Sequence, residues 1–110
     1  MKVDCVDVPK GRVVEVSGRL DTLTAPGFES SALALLGDGI GAMVIDLSEL
    51  EYISSAGLRS ILAVAKKAST DGTTVSLCAM KGVVEEVFSI SGFDSFLPVY
   101  STRDEALEAM

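Results

Sequence analysis

Short apolar positions open the chain, Val3, Cys5 and Val8, then Val13, Val14 and Val16, with Pro9-Lys10-Gly11 between them. Proline fixes φ and glycine accepts a positive one, so the pattern predicts a β-hairpin. Thr24 is placed to cap a first helix with Pro26 in its opening turn. Phe28, Ala32, Leu35 and Leu36 follow at helical spacing until Gly37, Gly39 and Gly41 stop it. Residues 42–47 form an apolar run broken by Asp46, which predicts a strand covered on both faces and parallel to its neighbours. A second helix is expected from Ser54 or Ser55, with Leu58, Ile61, Leu62 and Ala65 on its buried face and Arg59, Lys66 and Lys67 off it. Beyond the 70–73 turn, residues 74–79 read as a strand, and Val84, Val87 and Phe88 mark a third helix ending at Gly92. Phe93, Phe96 and Leu97 are expected to plug its exit. Thr102 and Glu105 make a capping box before a short last helix.

A hairpin followed by alternating helices and strands is an α/β pattern of four to five strands and about four helices, with the first strand antiparallel and the rest parallel. Binding sites in such sheets gather beyond the carboxyl ends of the strands. Three loops, residues 18–24, 48–55 and 79–82, are expected at that edge, carrying Asp21, Asp46 and Ser55.

Composition narrows the function. The chain has 110 residues, nine Lys or Arg against sixteen Asp or Glu, and a net charge of −7. An acidic surface repels phosphate backbones and anionic lipid, which argues against a nucleic-acid reader or a membrane-surface binder. The absence of His removes His-based triads and most zinc sites. Cys5 and Cys78, 73 positions apart, read as two buried strand thiols. Acids at positions 4 and 7 interrupt any signal-peptide core, and no run approaches a membrane span, so a cytoplasmic protein and a single domain over residues 1–110 are expected. Neither a nucleophile–base pair nor a phosphate-binding glycine loop is present, which argues against an enzyme and implies no cofactor.

The chemistry concentrates in Val44-Ile45-Asp46-Leu47-Ser48 and Tyr52-Ile53-Ser54-Ser55-Ala56-Gly57-Leu58-Arg59, where a strand delivers two hydroxyls to a helix N-terminus. Either serine can cap the helix. Equally, the helix dipole would tolerate a phosphoryl group there. Together with Gly18-Arg19-Leu20-Asp21 and Thr24-Ala25, and with Val87-Phe88 and Ser91-Gly92 further on, these segments resemble the STAS domains of bacterial anti-sigma factor antagonists over nearly the whole chain.

The resemblance implies partner switching. The unphosphorylated form would bind an anti-sigma factor that is also a serine kinase and so release a sigma factor. Phosphorylation would end that complex, and a metal-dependent serine/threonine phosphatase would restore it. Carried over by position, the phosphoacceptor is Ser55, two residues before Gly57. Many members have Asp-Ser-Ser-Gly where this chain has Ser54-Ser55-Ala56-Gly57, which leaves Ser54 as a rival cap or minor phosphosite. Asp21 and Thr24 match the loop beside the phosphoserine, with Asp21 either a kinase contact or a cap on its own loop. Ser54, Ala56, Gly57, Arg59 and Met80 complete the expected partner surface. Arg59 has the alternative of an ordinary solvated charge, and Met80 that of a core residue. Gly57 would let the helix approach the sheet and clear space around Ser55. Asp46 is expected to hydrogen-bond a loop, since the paired acids of a magnesium site are missing. A second function open to the same fold is a phosphorylation-independent subunit that docks on the ATPase of a phospholipid ABC transporter.

Overall fold

The computed structural model describes residues 1–93 and 97–110. The expected hairpin is β1 (Lys2–Val8) and β2 (Gly11–Leu20), paired antiparallel. Then follow α1 (Ala25–Ala34), β3 (Ala42–Ile53), α2 (Ser55–Thr70), β4 (Thr74–Cys78), α3 (Gly82–Ser91), β5 (Val99–Tyr100) and α4 (Arg103–Glu108). The sheet runs β1-β2-β3-β4-β5, parallel from β2 onward, as the α/β reading expected. Phe96 lies outside the described residues; Leu97 is buried and Phe93 packs partly buried against the core.

The alternation of β3 divides the interior. Met43, Ile45 and Leu47 join Phe28, Ile61 and Phe88 in the main core beneath α1, α2 and α3. Val44 points the other way, where Val13, Cys78 and Ala106 of α4 form a second, smaller cluster. Arg103 of α4 ties that layer down, its guanidinium 2.7 Å from Glu15 and 3.3 Å from Asp46. Thr102 caps α4 by accepting from Glu105 N at 3.1 Å, the forward bond of the expected box. On the hairpin side, Arg12 donates to Asp7, to Asp38 and to the Leu35 carbonyl at the C-terminal end of α1.

Three expectations need correction. The strand expected over residues 42–47 continues to Ile53, so the 48–55 segment is not a loop. Polar Ser48, Glu49 and Glu51 hide the continuation because β3 bulges against β2 twice, between the Glu15 and Ser17 pairings and between those of Gly18 and Arg19. Each bulge inserts one residue and shifts the alternation, so Leu47, Leu50 and Ile53 all reach the core at intervals of three. The buried stripe of α2 is Leu58, Ile61, Val64 and Ala68, whereas Leu62 and Ala65 lie only partly covered at its flank. And Cys5 is exposed, because β1 is an edge strand whose outer surface nothing covers among the described residues; only Cys78 is buried.

Burial of Cys78, with the nearby charge of Asp46 adding to it and Arg103 opposing, pushes its thiol up to about 12 from an ordinary 9.0. The fold therefore favours the neutral thiol: that stabilisation is complete below about pH 9 and is lost as pH rises toward about 12. Alkylation followed by mass spectrometry is expected to label one thiol, Cys5, in the native protein at pH 8. Labelling of Cys78 is expected only in denaturant or under alkaline unfolding. Equal labelling of both at pH 8 would contradict this packing.

Candidate functional site

The site lies where β2 and β3 end. Ser54 alone connects β3 to α2, and its backbone N–H donates to the Leu20 carbonyl at 2.9 Å, joining the last residue of β2 to the start of the helix. Two loops thereby become neighbours. One is the 21–24 turn leaving β2, and the other is the Ser54-Ser55 helix start.

The two serines, equivalent by spacing, part company in the structure. Ser54 has extended φ and ψ of −101° and 174°, and its hydroxyl accepts from Gly57 N at 3.2 Å. That is the helix cap. Ser55 is the first helical residue, exposed, and its hydroxyl has no hydrogen-bond partner among the described residues. A hydroxyl with no structural duty, at the positive end of a sixteen-residue helix whose first turn holds no acid, is suited to carry an anion. Two charges added there would change the surface without costing the fold a bond.

Gly57 explains how closely α2 seats. A Cβ on it would stand 2.7 Å from the Leu20 carbonyl oxygen and 2.9 Å from Ile53 Cγ1. The close approach expected of this glycine is present, and the space it clears is against Leu20 and Ile53, the atoms such a Cβ meets first. Ala56 sits between, half-buried.

Asp21 organises its own loop. Its Oδ1 accepts from Leu23 N at 3.0 Å and from Thr24 N at 3.2 Å, with Arg19 3.8 Å from Oδ2. Partial burial alone would raise the carboxyl pKa, but these bonds, the Thr24 hydroxyl and Arg19 outweigh it and hold the group below its ordinary value. The loop-capping alternative for Asp21 is thus realised. Thr24 occupies the expected cap position of α1 but makes no side-chain cap. Its hydroxyl turns back to donate to the Arg19 carbonyl at 2.8 Å and to accept from Asp21 N at 2.9 Å.

Of the other expected members, Asp46 and Met80 fall elsewhere. Asp46 lies inside β3, 6% exposed, turned toward Arg103 and accepting from Ser48 N at 2.9 Å beside the first bulge. It is not at the strand-end edge, because β3 runs seven residues past it. Met80 packs half-buried against the core and borders a hollow of about 270 Å³ with Phe88 and Tyr100. Arg59 is exposed one turn beyond Ser55.

Two further features belong to the edge. Leu23 is 90% exposed at the tip of the Asp21 turn. Its signal was legible as a lone large apolar residue between turn-forming polar ones. Arg19 stacks on the ring of Tyr52 at 4.2 Å, a cation–π contact across the paired ends of β2 and β3. That contact depended on the second bulge and had no local signature. Among the described residues no group of three metal-ligating side chains occurs, and no helix is long and apolar enough to cross a membrane.

A five-stranded mixed sheet flanked by four helices, with hydroxyls at the start of the helix after its longest strand, defines a STAS domain. The STAS domain family matches residues 3–106, and the chain belongs to that family. A protein of Bordetella bronchiseptica provisionally named anti-sigma factor antagonist BtrV is 40% identical over 94 residues, 86% of this chain and 81% of that one. The anti-sigma-F factor antagonist RsfB of Mycobacterium tuberculosis is 28% identical over 95 residues, 86% of this chain and 77% of its own. The crystal structure of an anti-sigma factor antagonist from Mycobacterium paratuberculosis superposes with a TM-score of 0.89 at 32% identity, covering 98% of this chain and 92% of that one.

Proposed function

We propose that this chain is an anti-sigma factor antagonist that works by partner switching in the cytoplasm, as one unit over residues 1–110. Unphosphorylated, it binds an anti-sigma factor that is also a serine kinase and frees a sigma factor. Phosphorylated on Ser55, it lets the kinase go, and a metal-dependent serine/threonine phosphatase resets it. The chain is then substrate rather than catalyst. The names of its relatives support the antagonist class. The observation that carries the switch is the division of labour between the serines: Ser54 caps α2, and Ser55 is left exposed with its hydroxyl free.

The proposed binding edge is built around that serine. The 21–24 turn, with Leu23 at its tip, stands beside Ser54, Ser55 and Ala56, and Arg59 extends the edge one turn down α2. Gly57 acts beneath this surface by seating the helix.

The test is purification from native cells, stressed and unstressed, with peptide mass spectrometry of the 55-containing fragment and identification of co-purifying proteins. A phosphate on Ser55 whose occupancy changes, absent in Ser55→Ala, together with a serine kinase among the partners, is the expected result. An unmodified Ser55 in all conditions, with an ATPase and a membrane permease in place of the kinase, would overturn the switch and select transporter docking.

A further inference from the structure

A groove of about 760 Å³ lies between the outer flank of α2 and the segment entering β5, and Ser55 is not among its lining residues. Leu62, Ala65, Val75 and Leu97 give it an apolar floor, and Arg59 and Lys66 stand on its α2 rim. The stripe Arg59, Leu62, Lys66, Ser69 repeats at intervals of three and four, so one flank of the helix presents it continuously. This flank is distinct from the buried stripe through Leu58, Ile61, Val64 and Ala68.

Charge gives the groove its direction. The chain carries sixteen carboxylates to nine cations, yet no carboxylate of the described residues lines the groove, and α2 contains no acid. Lys67 pairs with Asp71 at 3.5 Å, but neither Arg59 nor Lys66 pairs with a carboxylate among the described residues. Two exposed, unpaired cations beside an apolar trough on an otherwise acidic protein are complementary to an occupant that is apolar in the middle and anionic at its margin. They stand seven residues apart, about 10.5 Å along the helix axis. A single-headed amphiphile such as a fatty acid would satisfy one of them. An α-helix with acidic residues seven positions apart would satisfy both while laying its apolar stripe on Leu62 and Leu97.

We infer that this groove docks an acidic amphipathic helix of a protein partner, with Arg59 and Lys66 as its two charge contacts. The inference adds to the reading of Ser55 and does not rest on it, since the groove is formed whether or not that hydroxyl is modified. If the partner also covers the Ser55 edge, Arg59, one turn from Ser55, is where the two contacts join.

The test uses the full chain, isotope-labelled, in a ¹⁵N–¹H NMR titration with a synthetic helical peptide of about 18 residues, five turns long. It carries a leucine stripe and two Glu seven positions apart. Saturable shifts centred on Leu62, Ala65, Lys66 and Val75 are expected, with binding about tenfold weaker to the Arg59→Gln, Lys66→Gln double variant. Both side chains are exposed, so the variant's circular dichroism and melting temperature should match the parent. A control peptide with Lys in place of Glu should not bind, and Ser55→Ala should titrate as the parent does. Equal binding to the double variant, shifts centred elsewhere, or displacement of the peptide by an equal concentration of palmitate would each overturn the assignment. An unphosphorylated Ser55 in cells would leave this titration unchanged, so the two readings fail separately.

Discussion

Gly57→Val is expected to destabilise the protein by roughly 3 kcal/mol and Gly57→Ala by about 1–2 kcal/mol, while Gly27→Ala should stabilise it by about 0.5–1 kcal/mol. Both glycines are the third residue of their helix, in α2 and α1, so propensity favours alanine at both by a similar amount. What differs is the neighbour. A Cβ at Gly27 meets nothing within 4 Å, whereas one at Gly57 lies 2.7 Å from a backbone oxygen that cannot rotate away. The clash must therefore be relieved by moving the start of α2 off the sheet, straining the Ser54 N–H bond to Leu20 as it does so. For a domain of this size each kcal/mol is about 4–8 °C of melting temperature, so thermal unfolding resolves the opposite signs. Two glycine replacements that shift melting in the same direction would refute this account of how the site is held.

Most of the scaffold was legible because its signals are local. The stop at Gly92 in the left-handed conformation and the Thr102 cap each depend on residues within a turn of one another. Gly11, expected to take a positive φ in the hairpin turn, instead opens β2 without one, and it is glycine because a Cβ there would collide with the Ala42 carbonyl oxygen of β3. What escaped depends on pairing across the sheet. The tail of β3 looks like a loop to any template of period two, since its bulges are set by register against β2 and not by its own sequence. Asp46 was misplaced for the same reason: a strand thought to end at Leu47 puts it at the edge, and one that ends at Ile53 puts it beneath α4. The exposure of Cys5 follows from sheet order, which leaves β1 with a neighbour on one side only. The groove flank of α2 resembles core in sequence because Leu62 and Ala65 lie next to the buried stripe, and only β4 and the entry to β5 decide how far that stripe extends.

At the site itself, the family resemblance placed the phosphoacceptor on Ser55, but the capping rule by itself could not separate the two serines, because a hydroxyl at either position satisfies it. The Ser54–Leu20 bond decides between them, by fixing which residue is the last in extended conformation. This yields the second large effect. Ser55→Glu is expected to weaken binding to the proposed kinase partner about 100-fold, from an unpaired charge set into the proposed contact surface. The same substitution should raise stability slightly, by about 0.3–1 kcal/mol, because it sets a carboxylate in the first turn of a helix that has none there. Ser54→Ala should do the reverse, losing about 1 kcal/mol with its cap while leaving Ser55 open to phosphorylation. Calorimetric titration against the partner and thermal melts on the same samples check both axes at once. A fold that merely tolerated damage would lose binding and stability together. A switch separates them, and a Ser55→Glu variant that binds as tightly as the parent would show that charge at this position is not what the partner reads.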